Sequence, residues 1–190
     1  MKKILGTLVG VGTLLVATAV GAAPASATNI QQAWATTTLA QTAPSTMTAT
    51  GCLSTQVSVS VYNVQNGQGN GSISIMATDS CDASAPFSGN LVFSGYTRSN
   101  QSATVDTGLA SATDSTQFDV NVFPDGPMPA SISVTWTGVG KISNVSETNG
   151  NLHWVIRSRP ASVSAVIDLS GQHLVMNGSG QIGLDIITTP

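Results

Sequence analysis

Charged side chains are scarce in this sequence, which has only six basic and nine acidic residues among 190. Two of the basic residues fall within the first 27 positions, so residues 28–190 carry a net charge of 4 − 9 = −5. A protein that binds nucleic acid needs a clustered basic face to neutralise phosphates. The composition therefore predicts that nucleic acid is not a partner. Arg157 and Arg159, which lie two positions apart, are typical of a solvated strand end.

The residues that usually carry enzyme chemistry are also few. There are two histidines, His153 and His173, and one glutamate, Glu147. Asp168 and His173 form the nearest pair of carboxylate and histidine, but no serine lies in the Gly-x-Ser-x-Gly pattern of a nucleophile elbow. Most aspartates flank predicted strand ends, where they are typical turn formers. We therefore expect no enzyme activity and no cofactor.

A metal site finds little support in the residue spacing. Asp79 and Asp82 form the best local cluster of oxygen ligands for calcium, but they do not match the twelve-residue calcium loop. A calcium site at these two aspartates stays an alternative to a simple turn, and no other metal site is predicted.

The sequence has only two cysteines, Cys52 and Cys81. Between them lies 66–71, a stretch of Asn, Gln and Gly that predicts a hairpin loop because Gly and Asn tolerate positive φ. A hairpin symmetrical about residues 66 and 67 would place position 52 opposite position 81, since 52 + 81 = 133. We predict a Cys52–Cys81 disulfide, which would stabilise the fold by about 3–4 kcal/mol on the chain-entropy model.

Long apolar runs are absent except near the amino terminus, where Ile4–Val20 follows two lysines, Lys2 and Lys3. Ala25-Ser26-Ala27 then supplies a small-x-small cleavage site, so residues 1–27 are predicted to be a secretory signal peptide. Cleavage after Ala27 would release an extracellular protein without a stable membrane anchor.

The remaining sequence shows period-two alternation of apolar and polar residues. Val57, Val59 and Val61 alternate with serines, as expected for one face of a half-buried strand. The pattern recurs in about nine or ten short segments. Trp136 and Trp154 share the phase of the inward aliphatic residues and are predicted to be core residues. We therefore predict an all-β fold, an antiparallel β-sandwich of immunoglobulin-like or Greek-key type with one disulfide. A membrane-spanning barrel also alternates, but aromatic residues at 5% are too few for two interfacial girdles.

The domain is predicted to span 51–190, with 28–50 as a loosely ordered lead or an edge strand. Two rings are expected to be exposed: Tyr62, which points away from the valine face of its strand, and Trp34, which lies in the lead. Exposed rings are what a carbohydrate-binding surface needs. These two residues are the candidate ligand contacts.

A proline-rich segment is the most distinctive loop candidate, and its residues are Pro124, Asp125, Gly126, Pro127, Met128 and Pro129. The prolines predict that it cannot continue a central strand. A rigid exposed loop fits a connection between two sheets, and it also fits the tip of a protease inhibitor, because little entropy is lost on docking.

Two segments of the chain are distinctive: Ser133-Val134-Thr135-Trp136-Thr137-Gly138-Val139-Gly140 and, after it, Arg157-Ser158-Arg159-Pro160-Ala161. Together they resemble segments of uncharacterised small secreted β-sandwich proteins of actinobacteria. The resemblance covers the C-terminal half of the chain and implies export and a β-sandwich, without any catalytic residue. Together these features predict a secreted, non-enzymatic protein with an extracellular binding or structural role. Two alternatives stay open: a module that binds cell-wall polysaccharide, and an inhibitor of a secreted protease.

Overall fold

The computed structural model describes residues 28–48, 51–64, 69–79, 91–100, 103–169 and 171–189, and the predicted signal peptide lies outside these residues. The described residues form ten β-strands and no helix. The strands are β1 (Thr28–Pro44), β2 (Cys52–Val64), β3 (Gly69–Asp79), β4 (Leu91–Asn100), β5 (Thr104–Val105), β6 (Ser111–Val122), β7 (Gly126–Gly138), β8 (Ser143–Asn149), β9 (Leu152–Leu169) and β10 (Gln172–Thr189). No helix capable of spanning a membrane occurs in this part of the chain.

The strands close into an antiparallel barrel of eight strands, so the predicted sandwich is wrong. The hydrogen-bonded order runs from β10 through β1, β2, β3, β4, β6 and β7 to β9, and β9 also pairs with β10. The last pairing returns the sheet to its starting strand. Each barrel strand lies beside its neighbours in the chain, as in an up-and-down barrel rather than a Greek key. The all-β prediction is confirmed.

The predicted alternation correctly identifies much of the core. Val57, Val59 and Val61 are buried in the barrel interior, and Trp136 is 0% exposed. Indole nitrogen Nε1 of Trp136 donates a hydrogen bond to the backbone oxygen of Thr36 at 3.2 Å, which links β7 to β1 across the interior. An eight-stranded barrel is just wide enough for side chains to fill. Large residues such as Trp136 therefore face small ones, and the interior is a packed core.

Residues 28–44 do not form the loose lead or edge strand that we expected. They form β1, which pairs with β10 through residues 28–37 and with β2 through residues 32–44. Both edges of this strand are therefore hydrogen-bonded over its middle. The alanines Ala33 and Ala35 are buried because they point into the barrel, where a small side chain leaves space for opposing large residues.

Part of the sheet continues beyond the barrel and forms a flange. The flange consists of β8 (143–149), the first half of β9 (152–158), the end of β10 (183–189) and the start of β1 (28–32). Trp154 lies here with 42% of its surface exposed, so the prediction that it is a core residue is wrong. The buried residues of β9 occupy the odd positions from Ala161 to Leu169, so Trp154 lies on the opposite face of its strand, and burial does not alternate over residues 152–158.

The hairpin of β2 and β3 differs by one residue from the predicted register. Leu53 pairs with Asp79 and Val61 pairs with Gly71, so paired numbers sum to 132 rather than 133. Cys52 begins β2 opposite Pro44 of β1. Its predicted partner, Cys81, lies outside the described residues, and the disulfide stays a prediction.

The proline-rich segment is a tight hairpin rather than a long loop. The chain turns within 123–125, and Gly126 already pairs with Val122 as the first residue of β7. Pro127 and Pro129 pair with residues of β6, which we expected prolines to prevent. They are tolerated because β7 pairs with β9 only from Ala130 onwards, so the preceding residues form a local edge.

Candidate functional site

The outer surface of β1, β2 and β3 carries a regular array of hydroxyl groups. Alternate residues of a strand face opposite sides of the sheet. In the middle of β1, β2 and β3, the outward residues are Ser and Thr. Strand register aligns them in two rows: Thr36, Ser60 and Ser72, and Thr38, Ser58 and Ser74. We call this surface the outer hydroxyl face. It lines an open cleft with a volume of about 660 Å³, which Gln181 and Pro160 border at one side.

Trp34 lies beside this face with its ring laid over the neighbouring strand. It is paired in register with Gly183 of β10, and a side chain at Gly183 would overlap the indole ring. Nε1 of the ring donates a hydrogen bond to Oδ1 of Asp185 at 3.0 Å. The missing side chain at Gly183 and the carboxylate of Asp185 thus hold the half-buried ring against the sheet.

Tyr62 lies directly opposite Trp34, because the register pairs the two residues across β2 and β1. Tyr62 is 38% exposed. The structure therefore places both predicted ring residues side by side on one outer surface. Side chains of directly paired residues lie about 5 Å apart at their β-carbons, so two rings can contact one sugar chain.

Tyr96 of β4 is a third ring on this surface, and the sequence interpretation did not select it. It pairs with Ser74 and is 61% exposed, the largest exposed fraction among the prominent apolar and aromatic side chains of the described residues. It borders the outer hydroxyl face at the side opposite Gln181. One sequence signal could have identified it. Phe93 is a large apolar residue of the same strand and would be expected to face the core, and residues three apart in a strand face opposite sides.

Arg98 lies next to Tyr96 and gives this surface a positive charge. Its Nε donates a hydrogen bond to the Tyr96 hydroxyl at 3.5 Å, and this contact raises the pKa of the guanidinium. Arg98, Tyr96, Tyr62 and Asn70 line a second open cleft of about 390 Å³, which we call the Arg98 cleft. It shares Ser72 and Tyr96 with the larger cleft, so the two form one continuous surface.

Asp168 and His173, the nearest carboxylate and histidine in the sequence, lie in contact as paired residues of β9 and β10. Nδ1 of His173 lies 2.6 Å from Oδ1 of Asp168, and the Ser131 hydroxyl donates to Oδ2 of Asp168 at 3.5 Å. In a catalytic triad the histidine lies between the carboxylate and the nucleophile. Here the carboxylate lies between serine and histidine, so the imidazole cannot activate Ser131. The arrangement fits a surface ion pair.

We expect His173→Ala to change the free energy of unfolding by less than about 1 kcal/mol, because exposed ion pairs contribute about that much at most. The two side chains are 62% and 59% exposed. Urea unfolding followed by circular dichroism measures this change. Hydrolysis of a p-nitrophenyl ester by the wild-type protein, lost in both His173→Ala and Asp168→Asn, would contradict the interpretation of a simple ion pair.

Within the described residues, no three His, Cys, Asp or Glu side chains are close enough to hold a metal ion. Asp79 lies at the end of β3, and Asp82 lies outside the described residues. The calcium alternative at these two aspartates therefore stays a prediction.

Comparison with known proteins gives little further information. No protein-family model and no curated protein matches the chain. The chain is similar to a solved structure named "putative AttH" from Nitrosomonas europaea, with 14% sequence identity and a TM-score of 0.35. The alignment covers 83% of this chain and 51% of that chain, so the present chain spans about half the length of the matched structure.

Proposed function

We propose that this protein is a secreted, non-enzymatic module that binds a polysaccharide through the outer surface of β1 to β4. The observation that carries the proposal is the position of Trp34 and Tyr62. These two residues pair directly across β1 and β2 and lie beside a cleft lined with hydroxyl groups. Cell-wall polysaccharide is the expected ligand class for an exported protein. The predicted signal peptide supports this location.

The chemistry of the surface supports a sugar ligand. Aromatic rings pack against the apolar C–H faces of sugar rings, while hydroxyl groups exchange hydrogen bonds with sugar hydroxyls. Both kinds of group are present here in one continuous strip. The strip is open rather than enclosed, which allows a long chain to lie across it without threading its end into a pocket.

Among the described residues, a cavity lined by interior side chains is far smaller than the outer cleft. It is bordered by Leu53, Leu174 and Met176 and holds only about 10 Å³, about the smallest volume that can take one water molecule. The side chains that fill the interior include Trp136 and Phe93, both 0% exposed. A ligand is therefore better accommodated on the outer surface.

The inhibitor alternative receives less support from the fold. An inhibitory loop presents an extended backbone whose hydrogen-bonding groups are free to pair with the protease. Residues 126–129 instead pair with β6, and the turn itself contains only residues 123–125. Little free backbone therefore remains at this tip for a protease.

The test is affinity electrophoresis of residues 28–190 through gels that contain purified cell-wall polysaccharide, xylan or soluble chitin. We expect retardation in at least one gel, and about tenfold weaker affinity for Trp34→Ala and for Tyr62→Ala. A tenfold change corresponds to about 1.4 kcal/mol, within the range measured for the loss of one well-placed aromatic contact.

Phe123→Ala is the matched control, because Phe123 is 50% exposed at the turn between β6 and β7 and lines neither of the two clefts. It should bind as the wild-type protein does. Equal losses in Phe123→Ala and Trp34→Ala, or no retardation by any of these polymers, would contradict the proposal.

A further inference from the structure

The charge of the proposed binding surface differs in sign from the charge of the whole chain. Residues 28–190 have a net charge of −5, yet the outward side chains described on β2, β3 and β4 include Arg98 and no carboxylate. Asp185 of β10, beside this surface, accepts the hydrogen bond of Trp34 and lines neither cleft. The surface therefore has a local positive charge at one end.

In the part of the chain that the structure describes, the exposed Arg98 is available to an external anion. Among the described residues no carboxylate forms an ion pair with it, and its one side-chain hydrogen bond to Tyr96 uses Nε. The two terminal nitrogens of a guanidinium form a planar fork that matches the two oxygens of a carboxylate. Tyr96 therefore orients the guanidinium while leaving its terminal nitrogens available.

The surroundings of Arg98 are suited to a sugar that carries this anion. Tyr62 and Tyr96 border the Arg98 cleft on two sides, and Asn70 and Ser72 add polar groups between them. A pyranose ring could pack against a tyrosine while its carboxylate meets Arg98. A small free anion would use the arginine alone and would gain nothing from the two rings.

We infer that the Arg98 cleft binds the carboxylate of a uronic acid unit, so that the ligand of this protein is an acidic polysaccharide. The inference rests on the proposed function and specifies its substrate class. The cleft joins the outer hydroxyl face through Ser72 and Tyr96, so one chain can place an acidic unit in the cleft and further units across the hydroxyl rows.

Affinity electrophoresis with two forms of one polymer tests the inference. Polygalacturonate carries a carboxylate on each unit, and its methyl ester has the same backbone without the charge. We expect polygalacturonate to bind at least fivefold more tightly than the ester. Arg98→Gln should weaken binding of polygalacturonate at least fivefold and binding of the ester by much less, so that the preference disappears. Arg98→Lys should keep part of the preference, because lysine retains the charge but lacks the fork.

Lys141→Gln is the matched control, since it removes one positive charge from an exposed position outside the proposed surface. It should keep the full preference for polygalacturonate. A sulfated dextran distinguishes carboxylate recognition from general attraction of anions. Binding of this polymer as tight as that of polygalacturonate, with the same dependence on Arg98, would overturn the uronic acid assignment.

The outcomes separate the two proposals. Equal binding of both forms of the polymer, lost in Trp34→Ala but not in Arg98→Gln, would keep the polysaccharide module and overturn the acidic ligand. If neither these forms nor the polymers of the first experiment bind, both proposals are wrong. Circular dichroism spectra of Arg98→Gln should match the wild type, because Arg98 is exposed.

Discussion

Trp136→Ala is expected to destabilise the barrel by about 3–5 kcal/mol, the usual cost of removing a fully buried large aromatic side chain. Trp136 is among the largest fully buried side chains described, and its ring nitrogen bonds to the backbone of β1. The substitution removes a ring that contacts both sides of the barrel. Urea unfolding followed by far-ultraviolet circular dichroism measures the change, with a constant slope as the check on two-state behaviour.

Trp154→Ala is the matched control, because it removes the same side chain from the exposed face of the flange. We expect a loss below about 1 kcal/mol, as for most exposed positions. Similar losses in the two variants would contradict the assignment of Trp136 to the core and Trp154 to the surface. Trp136→Phe tests the hydrogen bond separately and should cost about 1 kcal/mol from its loss, in addition to any packing change.

Gly180→Ala should cost about 2–3 kcal/mol, since overfilling a packed site forces the backbone or its neighbours to move. A β-carbon at Gly180 would lie 2.5 Å from the backbone oxygen of Thr36 and 3.0 Å from Nε1 of Trp136. Thr36 lies in β1, which pairs with β10, and Trp136 is the large buried residue of β7. The substitution therefore strains the place where β1, β7 and β10 approach one another, and urea unfolding would detect it.

Gly178→Ala provides the comparison within the same strand. A β-carbon there would meet only Cδ2 of Leu39, at 2.6 Å, which is the end of a flexible side chain. We expect a loss of no more than about 1 kcal/mol, because Leu39 can change its rotamer. If Gly178→Ala were as destabilising as Gly180→Ala, the close approach of backbones at Gly180 would not explain the effect.

The sequence and the tertiary structure contribute differently to the proposed polysaccharide site. Tyr62 could be selected from the sequence because it follows three alternating valines in the opposite phase. Trp34 was selected only because its surroundings had no clear pattern. That these residues are partners, and that Gly183 and Asp185 hold the indole ring, depends on pairing between β1 and β10, which lie about 150 residues apart.

Local alternation by itself identified most strands after residue 51 and much of their buried face, but not β1. Val57, Val59 and Val61 show why: side-chain direction in a strand has a period of two, so one buried residue predicts the next. The same pattern led to the error at Trp154, because alternation identifies the two faces of a strand but not which of them faces the core. Burial at a given position depends on the three-dimensional arrangement of distant segments.

Closure of the sheet was decided by tertiary structure alone. The pairing of β1 with β10 converts an open meander into a barrel, and it follows from the combined twist and stagger of eight strands rather than from any short segment. The same closure brings Trp34 to Gly183 and places Pro160 and Gln181 at the border of the outer hydroxyl face. The sequence by itself determined which segments alternate and identified Tyr62 and Trp34 as candidate exposed rings; only the closed barrel decided which rings share a surface, and it added Tyr96 to them.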